Sequence, residues 1–432
     1  MLLLIKNGTV VNPGDKTLVE ADVLVEDGVI SKIAPNQKVK AEKTIDASGC
    51  YVMPGFIDLH VHLRDPGLEE KETVETGVRA AVHGGYTTIV AMPNTKPVVD
   101  NGDVVNYVHH KAQDIGLAHV LQAGAITKGQ RGEELADIEG MIEAGAPGLS
   151  EDGKTVMNAQ IYREALTLAG KYDVPVFAHC EDSNLVNGGV VNADEHTQRM
   201  GLLGITNSVE NVIIARDIML AKETGAALHL CHCSTKESVE IMAAAKKEGL
   251  RVTAEVCPHH FTLTSEAITE DDANYKMNPP LRTREDVEAL KEGLKNDVMD
   301  VISTDHAPHT AIEKGMGMKR APFGIVGLET AAALTMTELV EPGYLTIMQM
   351  AEKMSYHPAK ILGLDKGVVE EGKAADLVVF DAGREYVIDP AEFYSKGRNT
   401  PFAGKKVKGA VRATIVDGEV VYDGERIRSY KI

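Results

Sequence analysis

Two histidines near the start of the chain have the spacing to bind one metal ion. His60 and His62 lie within residues 55–65, where a short apolar strand gives way to polar residues. Side chains two residues apart share a face of a β-strand, so both imidazoles point the same way and can chelate one ion. The competing interpretation is a pair of core or surface histidines without a metal.

Four further residues of metal-ligand type follow later apolar runs that have the pattern of strands. These residues are Asp152, His179, His232 and Asp305. A core histidine or a helix-capping aspartate explains any one of them alone, but unrelated residues have no reason to end strands at one rim. With the first pair they form a nitrogen and oxygen set that suits zinc, and six ligands suit two ions if one carboxylate bridges.

Neighbouring residues of ligand type are interpreted as structural. Cys231 and Cys233 flank His232, and an extended backbone would turn both thiols away from the site. His229 is out of phase with His232, and the histidine pair at 259–260 lies on another predicted strand without a partner. We therefore predict that none of these side chains binds the metal ions.

The predicted strands alternate with amphipathic helices from about residue 53 to 330, which is typical of a parallel sheet. The strands are 55–62, 87–93, 118–125, 147–151, 174–180, 227–233, 251–257 and 299–305. Eight such units indicate an α/β fold with a (β/α)8 TIM barrel, whose active site lies at the carboxyl ends of the strands. An open doubly wound sheet is the alternative, but no Gly-x-Gly-x-x-Gly follows an early strand.

Both ends of the chain have strand patterns without this alternation. Apolar runs surround Asp27-Gly28 near the start and Asp417-Gly418 near the end, and this dipeptide is a strong hairpin signal. Residues 375–381 form a further predicted strand. The predicted domains are a small β-sandwich built from residues 1–52 and 366–432, and a barrel at residues 53–365.

Composition and charge restrict the class of protein. The chain of 432 residues has 45 basic and 64 acidic side chains and a formal charge of −19, which argues against a nucleic-acid partner. Five cysteines are an odd number, which favours free thiols in a reducing compartment. The first residues lack signal-peptide features and no apolar run reaches membrane-spanning length, so we expect a cytoplasmic protein without a membrane partner.

Five motifs surround these residues, at 54–67, 92–95, 149–153, 277–282 and 303–309, and they include Asp-Leu-His-Val-His-Leu-Arg-Asp-Pro-Gly and Ser-Thr-Asp-His-Ala-Pro-His. They resemble the amidohydrolase superfamily, and within it the bacterial class I dihydroorotases, over essentially the whole chain. Residues 372–381 are similar to the tail of the superfamily in general. The resemblance implies a distorted barrel with a composite β domain. It also implies reversible interconversion of N-carbamoyl-L-aspartate and L-dihydroorotate in pyrimidine biosynthesis.

The resemblance also implies how the ligands are shared between two zinc ions. The implied groups are His60, His62 and Asp305 on the more buried ion, His179 and His232 on the second, and Asp152 between them. Many binuclear relatives in the superfamily use a carboxylated lysine as the bridge. Lys154 lies two residues after Asp152 and is the alternative bridge here.

Asp305 is the expected catalytic residue. A carboxylate beside the metal ions can take the proton of a water molecule and return it to the departing amide nitrogen. Metal ligation without proton transfer is the alternative role.

Arg64 is expected to select a substrate that carries a carboxylate. It lies two residues after His62, and arginine binds carboxylates through a fork of two hydrogen bonds. A surface ion pair with Asp65 or Glu69 is the alternative. The resemblance adds further substrate contacts, with Asn94 and His309 at the carboxylate, Asn278 and the backbone of Phe323 and Gly324 at the amide edges of the ring, and His62.

Residues 313–322 are rich in glycine and cations and follow the eighth strand. They are predicted to form a mobile loop, either a lid over an anionic ligand or a surface loop without a role. Rival functions are another cyclic amidase, such as a hydantoinase, dihydropyrimidinase or allantoinase, and a non-catalytic relative that scaffolds a partner enzyme. A homodimer and docking to aspartate transcarbamoylase are compatible with an active enzyme.

Overall fold

The computed structural model describes residues 1–429, so the last three residues of the predicted 366–432 segment lie outside it. Its strands are β1 (Leu2–Asn12), β2 (Thr17–Glu26), β3 (Val29–Ala34), β4 (Lys43–Asp46), β5 (Tyr51–Pro54), β6 (Phe56–Val61), β7 (Tyr86–Ala91), β8 (His119–Gln122), β9 (Gly124–Ala125), β10 (Leu149–Ser150), β11 (Val176–Ala178), β12 (Val191–Asn192), β13 (Gly204–Ile205), β14 (Leu228–Leu230), β15 (Val252–Val256), β16 (Val301–Ile302), β17 (Leu377–Val387), β18 (Lys406–Val416) and β19 (Glu419–Tyr422).

The helices lie mainly between the strands in the middle of the chain. They are α1 (Val74–His83), α2 (Gly102–Ile115), α3 (Ile138–Glu143), α4 (Ala159–Lys171), α5 (Glu195–Arg199), α6 (Ser208–Thr224), α7 (Lys236–Lys247), α8 (Pro258–Thr262), α9 (Arg284–Lys295), α10 (Ala311–Lys314), α11 (Ala331–Thr335), α12 (Ile347–Ala351) and α13 (His357–Ile361). No helix among residues 1–429 is both long and apolar enough to cross a membrane.

Strands from both ends of the chain form one mixed sheet, which we call the terminal sheet. It contains β1–β5 and β17–β19, and β17 joins the two parts by pairing antiparallel with β5. The predicted Asp-Gly hairpins are confirmed, because both residues of each dipeptide have positive φ, as a two-residue turn between twisted strands requires. The strand β5 ends at Pro54 and therefore crosses the predicted boundary at residue 52.

The middle of the chain contains parallel strands at all eight predicted places. One sheet has the order β6-β7-β8 and the next has the order β16-β15-β14-β11-β10-β9. Since β8 and β9 are consecutive in the chain, they link the two sheets. A parallel bridge also connects the end of β6 to the segment after β16, between Val61 and His306. There the His62 backbone N–H donates to the His306 carbonyl at 2.8 Å.

The strands are shorter than predicted at their carboxyl ends, which changes how the candidate ligands are presented. The strand β14 ends at Leu230 and β16 ends at Ile302, so His232 and Asp305 lie in the loops that follow. Both residues have positive φ, 33° and 49° respectively. At His232 the backbone has therefore already left the extended conformation that the predicted strand at 227–233 implied.

Candidate metal centre and active site

The six predicted metal ligands converge on one buried cluster at the carboxyl ends of the parallel strands. The closest atom pairs are His179 Nδ1 with His232 Nε2 at 2.9 Å, His62 Nε2 with Asp305 Oδ1 at 3.0 Å, and His60 Nε2 with Asp152 Oδ1 at 3.1 Å. All six side chains are buried. Residues that are far apart in the sequence thus meet at one place.

Asp152 lies at the centre of this cluster. Its Oδ1 atom is 3.5 Å from His179 Nδ1 and 3.6 Å from His232 Nε2, and its Oδ2 atom is 3.3 Å from His62 Nε2. The carboxylate therefore faces both histidine pairs. The Lys154 side chain bonds to a group outside the cluster, since its Nζ donates to the Gln130 carbonyl at 2.9 Å.

Donor atoms in the cluster lack protein partners, as a metal site requires. Among the described residues, His60 Nε2 and Asp152 Oδ1 are buried without a hydrogen bond. The 3.1 Å approach of His60 to Asp152 is close but lacks hydrogen-bond geometry. Two ligands about 2.0–2.2 Å from one tetrahedral ion are themselves about 3.3–3.6 Å apart, which is close to the separations in the cluster. These residues therefore fit a divalent metal ion.

Protonation in the cluster favours ionised carboxylates but differs among the imidazoles, because the pKa of His62 is lowered while Asp152 raises the pKa values of His60 and His179 against the opposing effect of burial. Burial alone would raise the pKa of Asp152, but the positive charge of His60 helps hold it well below its usual value. Burial also opposes ionisation of Asp305, yet His60 and His62 lower its pKa. Burial, assisted by the charge of Arg64, lowers the pKa of His62. Carboxylates and a neutral histidine are the forms that bind metal.

A buried carboxylate that the sequence analysis did not select orients ligands of both proposed ions. Glu255 Oε1 lies 2.9 Å from His60 Nδ1 and accepts the backbone N–H of His232 at 3.1 Å, while its Oε2 lies 3.0 Å from His229 Nε2. The bond at Nδ1 leaves His60 Nε2 facing the cluster. A glutamate inside the apolar run of β15 was the signal that could have identified this residue.

Some of the neighbouring thiols and histidines belong to other close groups of donor atoms. All five cysteines of the chain are free and buried, as predicted. The sulfur of Cys231 lies within 4.8 Å of donor atoms of His60 and Glu255, and that group contains none of the other five clustered ligands. The donor atoms of Cys257, His259 and His260 form a separate close group.

A cavity of about 220 Å³ opens onto the metal-ligand cluster. Its walls contain all the predicted substrate contacts, which are His62, Arg64, Asn94, Asn278, His309, Phe323 and Gly324. A larger cleft of about 530 Å³ lies beside the terminal sheet around His83 and Tyr422. That cleft is less suited to this chemistry, because none of the six clustered ligands lines it.

Arg64 is buried beside the cavity and has no acidic partner. Its side chain is 8% exposed, its Nε donates to the Pro308 carbonyl at 3.3 Å, and its Nη2 lies 3.3 Å from His309 Nε2. No carboxylate among residues 1–429 lies within ion-pair distance of it. The alternative of a surface ion pair with Asp65 is wrong, since Asp65 pairs with Lys111 at 2.7 Å.

Asn94 and His309 line the same cavity as Arg64 and are neutral groups. Asn94 Oδ1 lies 2.9 Å from His62 Nδ1, so the amide also fixes the ring that presents Nε2 to the cluster. Burial, with the nearby charges of Arg64 and Lys71, lowers the pKa of His309 to about 3. His309 is therefore suited to hydrogen bonding with an anion rather than to ion pairing.

The residues predicted at the ring's amide edges already make contacts within the protein. Asn278 Nδ2 donates to Glu181 Oε2, and the Phe323 carbonyl lies 2.9 Å from His309 Nε2. The Gly324 N–H donates to the Lys276 carbonyl at 3.0 Å. Because that N–H is engaged, Gly324 contributes the shape of the wall in this conformation.

The predicted mobile loop at 313–322 is packed against the protein. Met318 and Ala321 are buried in a small apolar cluster, and the Met318 N–H donates to Asp271 Oδ1 at 2.6 Å. Ile312, just before the segment, is 81% exposed. Opening and closing of this loop stays a prediction.

Comparison with known proteins identifies close relatives over the full chain. A family model described as "Dihydro-orotase-like" matches residues 49–238. The chain is 50% identical over 429 residues to a "Dihydroorotase" from Pelotomaculum thermopropionicum, covering 99% of this chain and 100% of that protein. It is 48% identical over 426 residues to a "Dihydroorotase" from Thermoanaerobacter sp., covering 99% and 98%.

Among solved structures, the chain is similar to a protein that is named as a hydantoinase. That protein is an "L-Hydantoinase (Dihydropyrimidinase)" from Arthrobacter aurescens, with a TM-score of 0.88 and 28% identity, covering 99% of this chain and 97% of that one. The structural likeness indicates a scaffold shared with amidohydrolases of other ring substrates. The higher full-length identity lies with the first two relatives.

Proposed function

Since the chain belongs to the dihydroorotase family and is therefore a cyclic amidohydrolase, we propose that it interconverts N-carbamoyl-L-aspartate and L-dihydroorotate. In one direction an amide nitrogen attacks a carboxyl carbon, the ring closes and water leaves. In the other direction water opens the ring amide. The named relatives support this reaction, and it places the protein in pyrimidine biosynthesis.

The observation that carries the substrate assignment is the unpaired guanidinium of Arg64. A buried charge without a partner is costly, so it is retained where a ligand supplies the opposite charge. Both proposed substrates have a carboxylate that can accept the fork of two hydrogen bonds. Neutral Asn94 and His309 line the same cavity and would complete the binding of that anion.

A hydantoinase or dihydropyrimidinase activity is the second candidate, and the structural likeness favours considering it. Hydantoin and dihydrouracil rings carry no carboxylate, so they would leave Arg64 buried and unpaired. The central position of Asp152, with Lys154 bound to Gln130, also differs from a lysine-bridged centre. A non-catalytic scaffold is disfavoured because no member of the ligand cluster is missing.

We propose that the cluster holds two zinc ions. His60, His62 and Asp305 would hold one ion, His179 and His232 the other, and Asp152 would bridge them. Nitrogen and oxygen donors with short mutual distances support this assignment. When bound, such ions lower the pKa of a water molecule and stabilise negative charge on a carbonyl oxygen.

Asp305 would act in proton transfer as well as ligation. During ring opening its carboxylate accepts the proton of the attacking water, and the same group then donates that proton to the departing amide nitrogen. Ring closure uses the reverse order. Asp305 lines the cavity that opens onto the cluster, so its carboxylate is within reach of a bound substrate.

The test combines metal analysis of the purified protein with assays of four compounds, dihydroorotate, carbamoyl aspartate, hydantoin and allantoin. We expect about two zinc ions per chain, turnover of the first two compounds, and loss of activity on chelation that zinc reverses. Turnover of hydantoin or allantoin, with none of carbamoyl aspartate at mildly acidic pH, would overturn the substrate assignment.

We also infer that the parallel strands close into a distorted (β/α)8 barrel and that the terminal sheet belongs to a β-sandwich domain, with its predicted limits of 1–52 and 366–432 changed only at residue 52, which moves to residue 54 where β5 ends. The bridge between Val61 and His306 and the pairing of β17 with β5 support these inferences. Five buried free cysteines support a cytoplasmic location. A homodimer and docking to aspartate transcarbamoylase rest on the family likeness alone.

A further inference from the structure

A buried lysine beside the cavity has no acidic partner and no role in the reaction described above. Lys314 ends the short helix α10, and its side chain is 7% exposed. Its Nζ donates to three backbone carbonyls, those of Lys276 at 3.1 Å, Pro322 at 3.1 Å and Gly324 at 2.9 Å. All three donor sites of an ammonium group are therefore satisfied by main-chain oxygens.

The three carbonyls belong to the two segments that form one wall of the cavity. Lys276 lies two residues before Asn278, while Pro322 and Gly324 flank Phe323. The two segments also bond directly, because the Gly324 N–H donates to the Lys276 carbonyl at 3.0 Å. Through its three hydrogen bonds, Lys314 therefore holds the two segments together where they meet.

The part of the wall around Gly324 has little freedom to shift. A Cβ atom on Gly324 would lie 2.7 Å from Ala307 Cβ, and the φ of Gly324 is 133°, which side-chain-bearing residues rarely adopt. Asn399 Nδ2 also donates to both the Gly324 and the Ala307 carbonyls at 3.0 Å. Ala307 follows Asp305 by two residues, so the Gly324 part of the wall is held in a fixed position relative to the candidate ligands.

A charged lysine at this buried position destabilises the protein, because its ammonium group is removed from water. Burial and the nearby positive charge of Lys276 lower the pKa of Lys314 to about 7, and Asp272 and Glu313 only partly oppose them. A methionine or leucine would fill the same space without a desolvated charge. The hydrogen bonds to the cavity wall are the feature that such a residue would not reproduce.

We propose that Lys314 is a positioning residue for substrate binding, which holds the segments of Asn278 and of Phe323 and Gly324 at the spacing that the substrate ring requires. The inference rests on the proposed function, because it assigns the ring to this wall of the cavity. Loss of the Lys314 hydrogen bonds displaces groups that contact bound substrate and leaves the metal ligands in place. Substrate affinity is then affected more than the turnover of bound substrate.

The test uses Lys314→Met with Lys353→Met as its matched control. Lys353 is also a buried lysine, 0% exposed, but its Nζ bonds Asp297 Oδ1 at 2.9 Å and the Met299 carbonyl at 3.0 Å, at the amino end of β16 and away from the cavity. For each variant we would measure KM and kcat for dihydroorotate, zinc content and thermal unfolding.

We expect Lys314→Met to raise KM by about tenfold with kcat changed less than about threefold and zinc content unchanged. Lys353→Met should lower stability and leave KM near that of the wild type. An unchanged KM in Lys314→Met, or an equal rise in Lys353→Met, would overturn the inference. If Lys314→Met does not fold, Lys314→Gln replaces it, and an unchanged KM there has the same meaning. Absence of dihydroorotate turnover in the wild type would instead reject the proposed function.

Discussion

Replacing Arg64 with methionine tests the substrate assignment directly. The guanidinium is 8% exposed and no carboxylate among the described residues pairs with it. Methionine has a comparable length but no charge and no donors. Removing one partner of a buried hydrogen-bonded charge pair costs about 2–5 kcal/mol. At 1.4 kcal/mol per factor of ten, a loss of about 3 kcal/mol raises KM for dihydroorotate on the order of 100-fold.

The Arg64→Met substitution should change the stability of the protein much less than it changes KM. Among residues 1–429, Arg64 donates only to the Pro308 carbonyl and approaches His309, so its loss removes an unpaired buried charge and leaves no buried carboxylate behind. The free energy of unfolding should therefore fall by less than about 1 kcal/mol. A protein that unfolds in the variant would indicate a structural role for Arg64.

Arg282 provides the matched control. It is another buried arginine, 2% exposed, and it donates to Ser234 Oγ at 3.1 Å, Asn192 Oδ1 at 3.1 Å and the Ile205 carbonyl at 2.9 Å. Arg282→Met should destabilise the protein and leave KM of the folded fraction unchanged. The assay compares KM for dihydroorotate and for carbamoyl aspartate in both variants. Wild-type KM values in Arg64→Met would refute the reasoning and place the anion elsewhere.

Three further predictions follow from the metal cluster and from the terminal sheet. Asp305→Asn should reduce turnover at least about 100-fold in both directions, and a variant that keeps a tenth of the wild-type rate with normal zinc content would contradict proton transfer by this residue. Asp152→Asn should lower zinc content while Lys154→Met should not, as measured by elemental analysis; the reverse pattern would identify the lysine as the bridge. His119 lies 3.3 Å from Asp376 and 3.5 Å from Asp417. Burial opposes its charge, yet these carboxylates raise its pKa to about 9 from 6.5. The ion pairs should therefore stabilise the protein fully below pH 6.5 and lose this effect as pH rises through about 9. The shift corresponds to about 3 kcal/mol, discounted to about 1–2 kcal/mol because the ring is 31% exposed. Unfolding of the wild type and of His119→Gln, compared across this range, should show a difference that shrinks with rising pH; a constant difference would contradict it.

The sequence was sufficient to locate the strands and the candidate ligands because both depend on local patterns. Apolar runs predicted all eight parallel strands, and the polar residues at their ends predicted the six clustered side chains. The ends of the strands were less accurate. The strand predicted at 299–305 is only Val301–Ile302, because pairing with a neighbour, not apolarity, determines where a strand ends.

Residues that act through other residues were not predictable in this way. Glu255 contacts His60 from a distance of 195 positions in sequence, and Lys314 contacts Lys276 from 38 positions away. Neither residue belongs to a motif of ligand spacing, and each gains its role only when packing brings its partner close. A charged residue within an apolar strand or a buried segment is the general signal for such positions, but it does not identify the partner.

The backbone at the cavity explains why local patterns fail there. In the described part of the chain, twelve residues other than glycine have positive φ, and eight of them are asparagine or aspartate, which tolerate this conformation. Of the remaining four, Arg64 and His232 line the cavity, with φ of 62° and 33°. Such a conformation costs about 1–3 kcal/mol for each residue, so it persists only where surrounding contacts enforce it. For His232 the contact is the bond from its N–H to Glu255, which directs the imidazole to the metal cluster. Tertiary packing therefore imposes at these positions a conformation that the local sequence disfavours, and the functional groups depend on it.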